Sequence, residues 1–118
     1  RLNAVEAELD GLSTNGLQAG SNTTIGVIIT DATLTKAQAQ RLAQVGHDGL
    51  ARTIRPVHTA MDGDTLFALA TGKNHAPVDV MQLATAAGEV TAMAVVNAIQ
   101  NAQSLRLGDC WWPAASEV

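Results

Sequence analysis

The sequence has few aromatic residues, a single cysteine and no basic cluster. Phe, Trp and Tyr together make up 3% of its 118 residues and Tyr is absent, so a core must be built from Ala, Val, Leu and Ile. The lone Cys110 excludes a disulfide or a multi-cysteine zinc site within the chain. Because the net charge is −4, we do not expect a nucleic-acid partner held by electrostatic attraction.

Signals for a membrane, a metal or a cofactor are also missing. The longest apolar stretch, residues 77–99, is interrupted by polar residues, so neither a membrane span nor a membrane partner is expected. No glycine-rich phosphate loop is present, and Asp62 and Asp64 are not followed by the further oxygen ligands of a calcium loop. We therefore expect no metal and no cofactor. The single cysteine is compatible with a cytoplasmic location, and a first residue Arg1 in place of Met is consistent with a piece of a longer product.

The densest β-forming run is residues 22–31, which is rich in Ile, Val and Thr. In an extended strand, alternate residues face opposite sides: Ile25, Val27 and Ile29 on one, and Gly26, Ile28 and Thr30 on the other. Apolar residues on both faces predict a strand that is covered on both sides. Loop-forming residues 20–22 precede it, and Thr23 and Thr24 place two hydroxyl groups at the junction of loop and strand.

A helix follows this strand. Thr35 and Gln38 have the spacing of a capping box, which predicts the helix start, and Pro56 is expected to end the helix. Gly46 and Gly49 lie on its apolar stripe, where each costs about 1 kcal/mol relative to Ala. Close packing of the helix on the sheet would explain both glycines.

A second strand and a second helix complete the pattern. Residues 65–71 are predicted to be a strand that Gly72 stops, and Pro77 is placed in the first turn of a helix that runs to about residue 103. Because this helix is rich in Ala nearly all round, we expect it to be buried between neighbours. In the tail, the Trp111-Trp112 pair is interpreted as a packing anchor.

The order strand, helix, strand, helix predicts an α/β fold with few strands. Residues 1–22 are expected to be a loop or linker, and residues 23–118 part of one layered domain. Two strands do not make a stable sheet by themselves. The remaining strands would come from another segment or chain, so the sequence predicts a piece of a larger fold.

Thr23 is the first candidate for chemistry, although a threonine at a loop-to-strand junction is more often structural. If the Asn22–Thr23 bond were cleaved, Thr23 would gain a free α-amine, whose reference pKa is about 7.7–8.0. Near neutral pH this amine accepts the hydroxyl proton, so one residue would supply both nucleophile and base. Before cleavage, the same hydroxyl could attack the Asn22 carbonyl.

The second candidate is the Asp62-Gly63-Asp64 segment. Its structural interpretation is a tight turn, which Asp and Gly both favour. Its functional interpretation is a carboxylate pair that orients a hydroxyl and holds a protonated amine. Under the functional interpretation, Asn at either aspartate would slow self-cleavage and turnover while the melting temperature moves little.

Three runs of the sequence resemble one enzyme family. They are Asn22-Thr23-Thr24 before a strand ending in Thr30-Asp31-Ala32, then residues 47–52 with residues 54–59, then Asp62-Gly63-Asp64 with residues 66–72 behind it. Together they resemble the C-terminal, β-subunit part of the DmpA-type aminopeptidases, a group that includes the β-aminopeptidases and the endo-type 6-aminohexanoate-oligomer hydrolases. A Thr after Asn is more similar to the oligomer hydrolases than to members cut between Gly and Ser. The tail after Arg106 lies outside the resemblance.

The resemblance implies a fold and a reaction. The fold would be an αββα four-layer sandwich, similar to DmpA and ornithine acetyltransferase, that an upstream α-subunit of the same precursor completes. The precursor would cut itself between Asn22 and Thr23. Thr23 would then be the nucleophile, and Asp62 and Asp64 its supporting acidic pair. The expected substrates are amide bonds of small peptides or ω-amino-acid oligomers, and the αβ units are expected to form a homo-oligomer.

Two other functions stay open at this point. Ornithine acetyltransferases resemble the same group and use a Thr nucleophile, so acyl transfer to an amine acceptor is one alternative. The other is a non-catalytic α/β subunit in which Thr23 is only a strand residue. Product analysis with and without an amine acceptor distinguishes hydrolysis from transfer, and a processed, reactive Thr23 distinguishes both from the subunit.

Overall fold

A computed structural model describes residues 23–117 of the chain, so the predicted loop or linker at residues 1–22 lies outside the described residues. The elements follow in the order β1 (Ile25–Ala32), α1 (Lys36–Thr53), β2 (Thr65–Asn74), α2 (Val80–Asn101), β3 (Leu105–Leu107), β4 (Cys110–Trp112) and a short 3₁₀ helix (Ala115–Glu117). The described residues divide into two compact units. The smaller unit contains residues 23–25 and 58–65, and the larger one residues 26–57 and 66–117.

Strands β1 and β2 pair in a two-stranded sheet, and all but the first residue of each strand lies in the larger unit. Near the beginning of both strands, Gly26 lies against the Leu66 side chain. Where both strands end, the Thr33 hydroxyl donates a hydrogen bond to the Asn74 carbonyl at 2.9 Å. The strands are therefore parallel, and α1 supplies the long crossover that a parallel pair requires.

The core lies on one face of this sheet. Ile28 forms a hydrophobic cluster with Leu42 of α1 and with Ala84 and Ala87 of α2. The other face is exposed within the described residues, and its apolar side chains are Val27, Ile29, Phe67 and Leu69, which are 53–63% exposed. The prediction of a strand covered on both sides therefore holds for one side of the described structure only.

Helix α1 begins where the sequence predicts. The Gln38 backbone N–H donates to the Thr35 hydroxyl at 3.2 Å, and the Thr35 N–H donates to the Gln38 side-chain oxygen at 2.8 Å. This reciprocal pair is a capping box. The helix ends at Thr53, a few residues before Pro56.

The two glycines of α1 pack against different elements. A Cβ on Gly46 would lie 2.5 Å from a methyl group of Ile28, so the predicted close packing on the sheet is confirmed there. A Cβ on Gly49 would instead lie 2.4 Å from the carbonyl oxygen of Gly88 in α2. Packing on the sheet is thus the wrong reason for Gly49, which allows the two helices to approach each other.

Three predicted boundaries differ from the structure. Helix α2 does not include Pro77, because Asp79 is its N-cap and accepts the backbone N–H groups of Met81 and Gln82. The helix ends at Asn101, not near residue 103. Strand β2 continues past Gly72 to Asn74, although Gly72 adopts a φ of +66°, a conformation that glycine takes without strain.

The surroundings of α2 also differ from the prediction. Its inner side is buried, through Ala84, Ala87, Gly88 and Thr91, whereas its outer side exposes Met81, Val90, Met93 and Ile99. Burial between neighbours is therefore wrong for the described residues, in which one side alone of this helix is covered. No helix in residues 23–117 is long and apolar enough to cross a membrane.

The tail forms a short antiparallel hairpin that the sequence did not predict. Strands β3 and β4 pair with Leu105 opposite Trp112 and Arg106 opposite Trp111. The Arg106 guanidinium lies over the Trp111 ring, 5.1 Å from its centre, which is a cation–π contact. Because both tryptophans are about half exposed, they are only partial packing anchors in this chain.

Candidate functional site

The candidate site lies in the smaller unit, at the beginning of β1. Thr23 is exposed and directly precedes Thr24, whose carbonyl accepts a hydrogen bond from the Thr65 backbone N–H at 2.9 Å. This bond attaches the beginning of β1 to the beginning of β2. The residue next to Thr23 therefore has a fixed backbone position.

Asp64 holds the same junction from its side chain. One carboxylate oxygen accepts the Thr24 backbone N–H at 2.9 Å, and the Thr24 hydroxyl also bonds to this carboxylate. The other oxygen accepts the His58 backbone N–H at 3.3 Å and lies 2.9 Å from the imidazole Nδ1 of His58. The Asp64 side chain is only 6% exposed. A nearly covered carboxylate thus binds the residue that follows the predicted nucleophile.

These contacts determine the charge of Asp64. Burial raises the pKa of this carboxyl group, but the hydrogen bonds from Thr24 and His58 favour the ionised form and outweigh burial. Its pKa therefore lies below the ordinary value of 3.8. At neutral pH Asp64 is a carboxylate, and an ionised carboxylate is an acceptor only.

Asp62 makes contacts of a different kind. One of its carboxylate oxygens accepts the Thr59 backbone N–H at 2.8 Å, and the Asp62 N–H donates to the Thr59 carbonyl at 3.1 Å. These two bonds close a turn over residues 59–62. The structural interpretation placed the turn within Asp62-Gly63-Asp64, which is wrong in position, because Asp62 ends the turn and residues 63–64 lead directly into β2. The named contacts of Asp62 and Asp64 thus go to different partners.

His58 is the residue of this unit that the sequence did not single out. Its φ is +57°, in the left-handed region that few non-glycine residues occupy. The residue belongs to the run 54–59 that carries part of the family resemblance, and it precedes Asp64 by six positions. A positive φ at a histidine is not encoded in any local pattern, so the contact emerges only in the folded chain.

The structure describes three of the four predicted site residues. Asn22 lies outside the described residues, and the roles of Asn22, Thr23, Asp62 and Asp64 in cleavage or catalysis stay predictions. Of the predicted residues, the structure brings Asp64 to the junction, at the backbone of Thr24. Over residues 23–117, no group of three or more His, Cys, Asp or Glu side chains is placed to hold a metal ion.

Comparison with known proteins identifies one family. The model of peptidase family S58 matches residues 2–109. This match is wider than residues 22–72, which carry the resemblance, and it ends before both tryptophans. It includes the whole of the candidate site.

Several relatives are similar over most of this chain. An uncharacterised aminopeptidase of Mycobacterium leprae is 50% identical over 71% of the chain, which corresponds to 27% of that protein. A second uncharacterised aminopeptidase, from Mycobacterium tuberculosis, is 50% identical over 70% of the chain and 28% of its own length. A 6-aminohexanoate-oligomer endohydrolase of a Kocuria species is 36% identical over 86% of the chain and 26% of its own length. The chain thus spans about a quarter of the curated relatives it matches, in their C-terminal part.

Proposed function

Because the chain belongs to peptidase family S58, we propose that it is the nucleophile-bearing part of a hydrolase that cuts itself between Asn22 and Thr23. The observation that carries the proposal is the hydrogen bond that the Thr24 backbone N–H donates to the Asp64 carboxylate, at 2.9 Å. This contact orders the main chain one residue after the bond to be cut. A nucleophile has to be held close to its reactive geometry, because the rate depends steeply on position.

Self-cleavage needs only groups of the precursor itself and one water molecule. The Thr23 hydroxyl attacks the carbonyl carbon of Asn22, the C–N bond breaks, and the acyl group moves to the oxygen as an ester. The proton of the hydroxyl passes to the released amine. Water then hydrolyses the ester, which frees the Asn22 carboxylate and leaves Thr23 with an α-amine and a hydroxyl.

The processed Thr23 then acts on substrate in the same way. Its amine takes the hydroxyl proton as the oxygen attacks a substrate amide, the substrate amine leaves with a proton, and water hydrolyses the acyl-enzyme. A protonated amine is stabilised by nearby negative charge. The ionised Asp64, with Asp62 two residues before it, supplies that charge in this part of the chain.

The substrates that we propose are amide bonds of small peptides or ω-amino-acid oligomers. The names of the relatives, aminopeptidase and 6-aminohexanoate-oligomer endohydrolase, support this class. Both kinds of substrate consist of amide-linked units, with a free amine at one end of the molecule and a free carboxylate at the other. No cofactor is part of the proposed reaction.

The proposed partner is the upstream α-subunit of the same precursor. The chain spans about a quarter of the length of its relatives, so a longer segment of the precursor is available as a partner. The exposed apolar face of the β1–β2 sheet needs another protein surface packed on it. A second sheet from the upstream segment, packed on this face, would give the αββα sandwich. We also propose that the resulting αβ units form a homo-oligomer, which the mass of the processed protein in solution tests.

The test is intact-mass analysis of the freshly purified full-length precursor. We expect a fragment that begins at Thr23. Thr23→Ala should abolish both self-cleavage and amide hydrolysis, whereas Thr23→Ser should keep part of each because it retains a hydroxyl. Thr33→Ala is the matched control, since it removes a hydroxyl beyond the other end of β1, where the hydroxyl contacts Gly72, Asn74 and His75.

Two results would contradict the proposal. A stable, active precursor without cleavage would exclude Thr23 as an N-terminal nucleophile. Formation of a new amide when an amine acceptor is added, without release of acid, would show acyl transfer in place of hydrolysis.

A further inference from the structure

His58 contacts Asp64 through two groups at once. Its backbone N–H and its imidazole Nδ1 both reach the same carboxylate oxygen, at 3.3 Å and 2.9 Å. The other oxygen of Asp64 is thereby directed at the backbone N–H of Thr24. His58, Asp64 and Thr24 form a continuous chain of contacts that ends one residue from Thr23.

The direction of the imidazole contact follows from the charge of Asp64. An ionised carboxylate accepts hydrogen bonds and donates none, so the imidazole Nδ1 carries the hydrogen in this contact. The Asp64 oxygen therefore requires a hydrogen-bond donor at this point. The donor nitrogen lies three covalent bonds from the Cα atom of His58, so the backbone of His58 determines where it is.

The unusual backbone conformation of His58 allows both of these contacts. At a φ of +57°, the N–H and the side chain of one residue converge on one oxygen. For a non-glycine residue this region costs up to about 1–2 kcal/mol relative to the right-handed conformation, although Asn, Asp and His are found there more often than other residues. Strain of this kind persists where the surrounding contacts compensate for it, and such residues cluster at functional sites.

We propose that His58 is a positioning residue of the site: its imidazole and backbone N–H fix the Asp64 carboxylate, which in turn fixes Thr24 and the placement of Thr23. The inference rests on the proposed self-cleaving hydrolase and adds a residue to it. His58 does not touch the reacting atoms in this scheme. Its removal should therefore slow the reaction without changing what is cut.

The decisive experiment compares two variants of the same shape in the full-length precursor. The side-chain amide of His58→Asn places its nitrogen as many bonds from Cα as Nδ1, and donates. His58→Asp is the same size but places an acceptor and a negative charge beside Asp64. Both residues tolerate a positive φ, so the pair differs in the donor and in its charge, and hardly in backbone strain.

A third variant and a control complete the set. His58→Gly keeps the backbone conformation and removes the side chain. His75→Asn makes the same histidine change at a residue whose Nδ1 lies 3.4 Å from the Thr33 hydroxyl, away from the Asp64 contacts. The rate of appearance of the Thr23 fragment is followed by mass spectrometry, and hydrolysis of alanine p-nitroanilide by the cleaved protein gives kcat and KM.

We expect His58→Gly and His58→Asp to slow self-cleavage by on the order of 10²-fold, the size of effect that a 1 Å displacement of a reacting group produces. In the cleaved protein they should lower kcat and leave KM within about twofold, because substrate contacts are unchanged. His58→Asn should recover most of the rate, and His75→Asn should behave as the wild type. The melting temperature of each variant is measured in parallel.

Some outcomes would overturn the inference. Wild-type rates in both His58→Gly and His58→Asp would show that Asp64 does not need His58. A loss in all three His58 variants that follows the melting temperature would assign His58 a role in stability alone. If the wild-type precursor is not cleaved at all, the proposed function fails, which is a different result from a cleaved wild type with insensitive His58 variants.

Discussion

At the scale of single residues, Asp62 and Asp64 have the same side chain but different hydrogen-bond partners. Asp64 binds Thr24 and His58 through both carboxylate oxygens and is nearly covered. Asp62 closes a turn through one oxygen. The side chain of an asparagine retains one oxygen acceptor but gains a donor, so the same substitution has different consequences at the two positions.

The first residue-scale prediction compares Asp62→Asn with Asp64→Asn. We expect both to slow self-cleavage and turnover by about 10²–10⁴-fold, as loss of a positioned acid–base group does. Asp62→Asn should leave the melting temperature unchanged, because its amide oxygen still accepts the Thr59 N–H. For Asp64→Asn the structure revises the expectation of an unchanged melting temperature: we expect a cost of about 1–3 kcal/mol of stability, because the new amide donor would face an N–H donor at a nearly covered position. Turnover has to be measured on protein that is already cleaved, since a processing defect alone would resemble a catalytic one.

The pH dependence of the Asp64 variant tests the charge directly. The folded-state pKa of Asp64 lies below its ordinary value of 3.8, so its ionised form stabilises the fold at every pH above that value. This contribution is lost as the pH falls through the folded-state pKa. The difference in free energy of unfolding between wild type and Asp64→Asn should therefore be constant near neutrality and shrink below pH of about 3.8. A pH-independent difference would show that charge is not what Asp64 contributes, and near-wild-type turnover in both Asn variants would return the pair to a structural role.

At the scale of elements, the two helices approach through glycine. A Cβ on Gly49 would meet backbone and side-chain atoms of α2 at 2.4–2.8 Å, whereas a Cβ on Gly88 would find the Val45 carbonyl oxygen at 3.4 Å. The first distance is a clash with main-chain atoms that cannot rotate away. The second is ordinary van der Waals contact.

We predict opposite effects for the same substitution at these two positions. Gly49→Ala should destabilise the protein by about 1–3 kcal/mol, because overpacking displaces α2. Gly88→Ala should be neutral or stabilise by up to about 1 kcal/mol, because Ala is the better helix former and has room. Chemical denaturation of the full-length protein measures both. If Gly49→Ala proves as stable as Gly88→Ala, the close approach of α1 and α2 is not the reason for the glycine.

The Arg52–Glu89 ion pair between the same two helices is a weaker feature. Both side chains are more than half exposed, and exposed pairs contribute about 0.2–1 kcal/mol at most. The glycine contact, not this ion pair, should therefore dominate the stability of the helix pair.

At the scale of the whole molecule, the sheet exposes one apolar face. Ile29 is 63% exposed and Phe67 is 59% exposed, in the company of Val27 and Leu69. An apolar patch of this kind marks a surface that binds another protein surface. In the proposed assembly the upstream segment covers it.

We predict that residues 23–118, expressed alone, are insoluble or lack a cooperative unfolding transition. Ile29→Lys should improve the solubility of this isolated segment, because a charge interrupts the apolar face. In the full-length precursor the same change should block assembly and self-cleavage, since an unpaired charge would be buried there. Gln44→Lys, an exposed position of α1, is the control and should do neither. A cooperative transition in the isolated segment, or normal processing of the Ile29→Lys precursor, would contradict the proposed cover.

Local chemistry explains which features the sequence determined by itself. Thr35 and Gln38 define a helix start through bonds that span three residues, and the β-branched run of β1 favours a strand in any context. Two strands and two helices, and the family through residues 22–72, were therefore predictable. The placement of Asp79 as the N-cap, beyond Pro77, was missed because both residues suit a helix start.

Long-range contacts decided the rest. His58 adopts a positive φ and reaches Asp64 only because the turn over residues 59–62 directs it there, and Gly49 faces α2 because the chain returns through β2 before α2 packs on α1. Neither the His58 contact nor the Gly49 contact can be recognised from neighbouring residues in the sequence. The positive φ of His58 and the low helix propensity of Gly49 are local costs, and the contacts that offset them involve other parts of the folded chain. The sequence therefore singled out Thr23, Asp62 and Asp64 as candidates, whose catalytic roles stay predictions, and only the tertiary structure revealed that His58 contacts the Asp64 carboxylate.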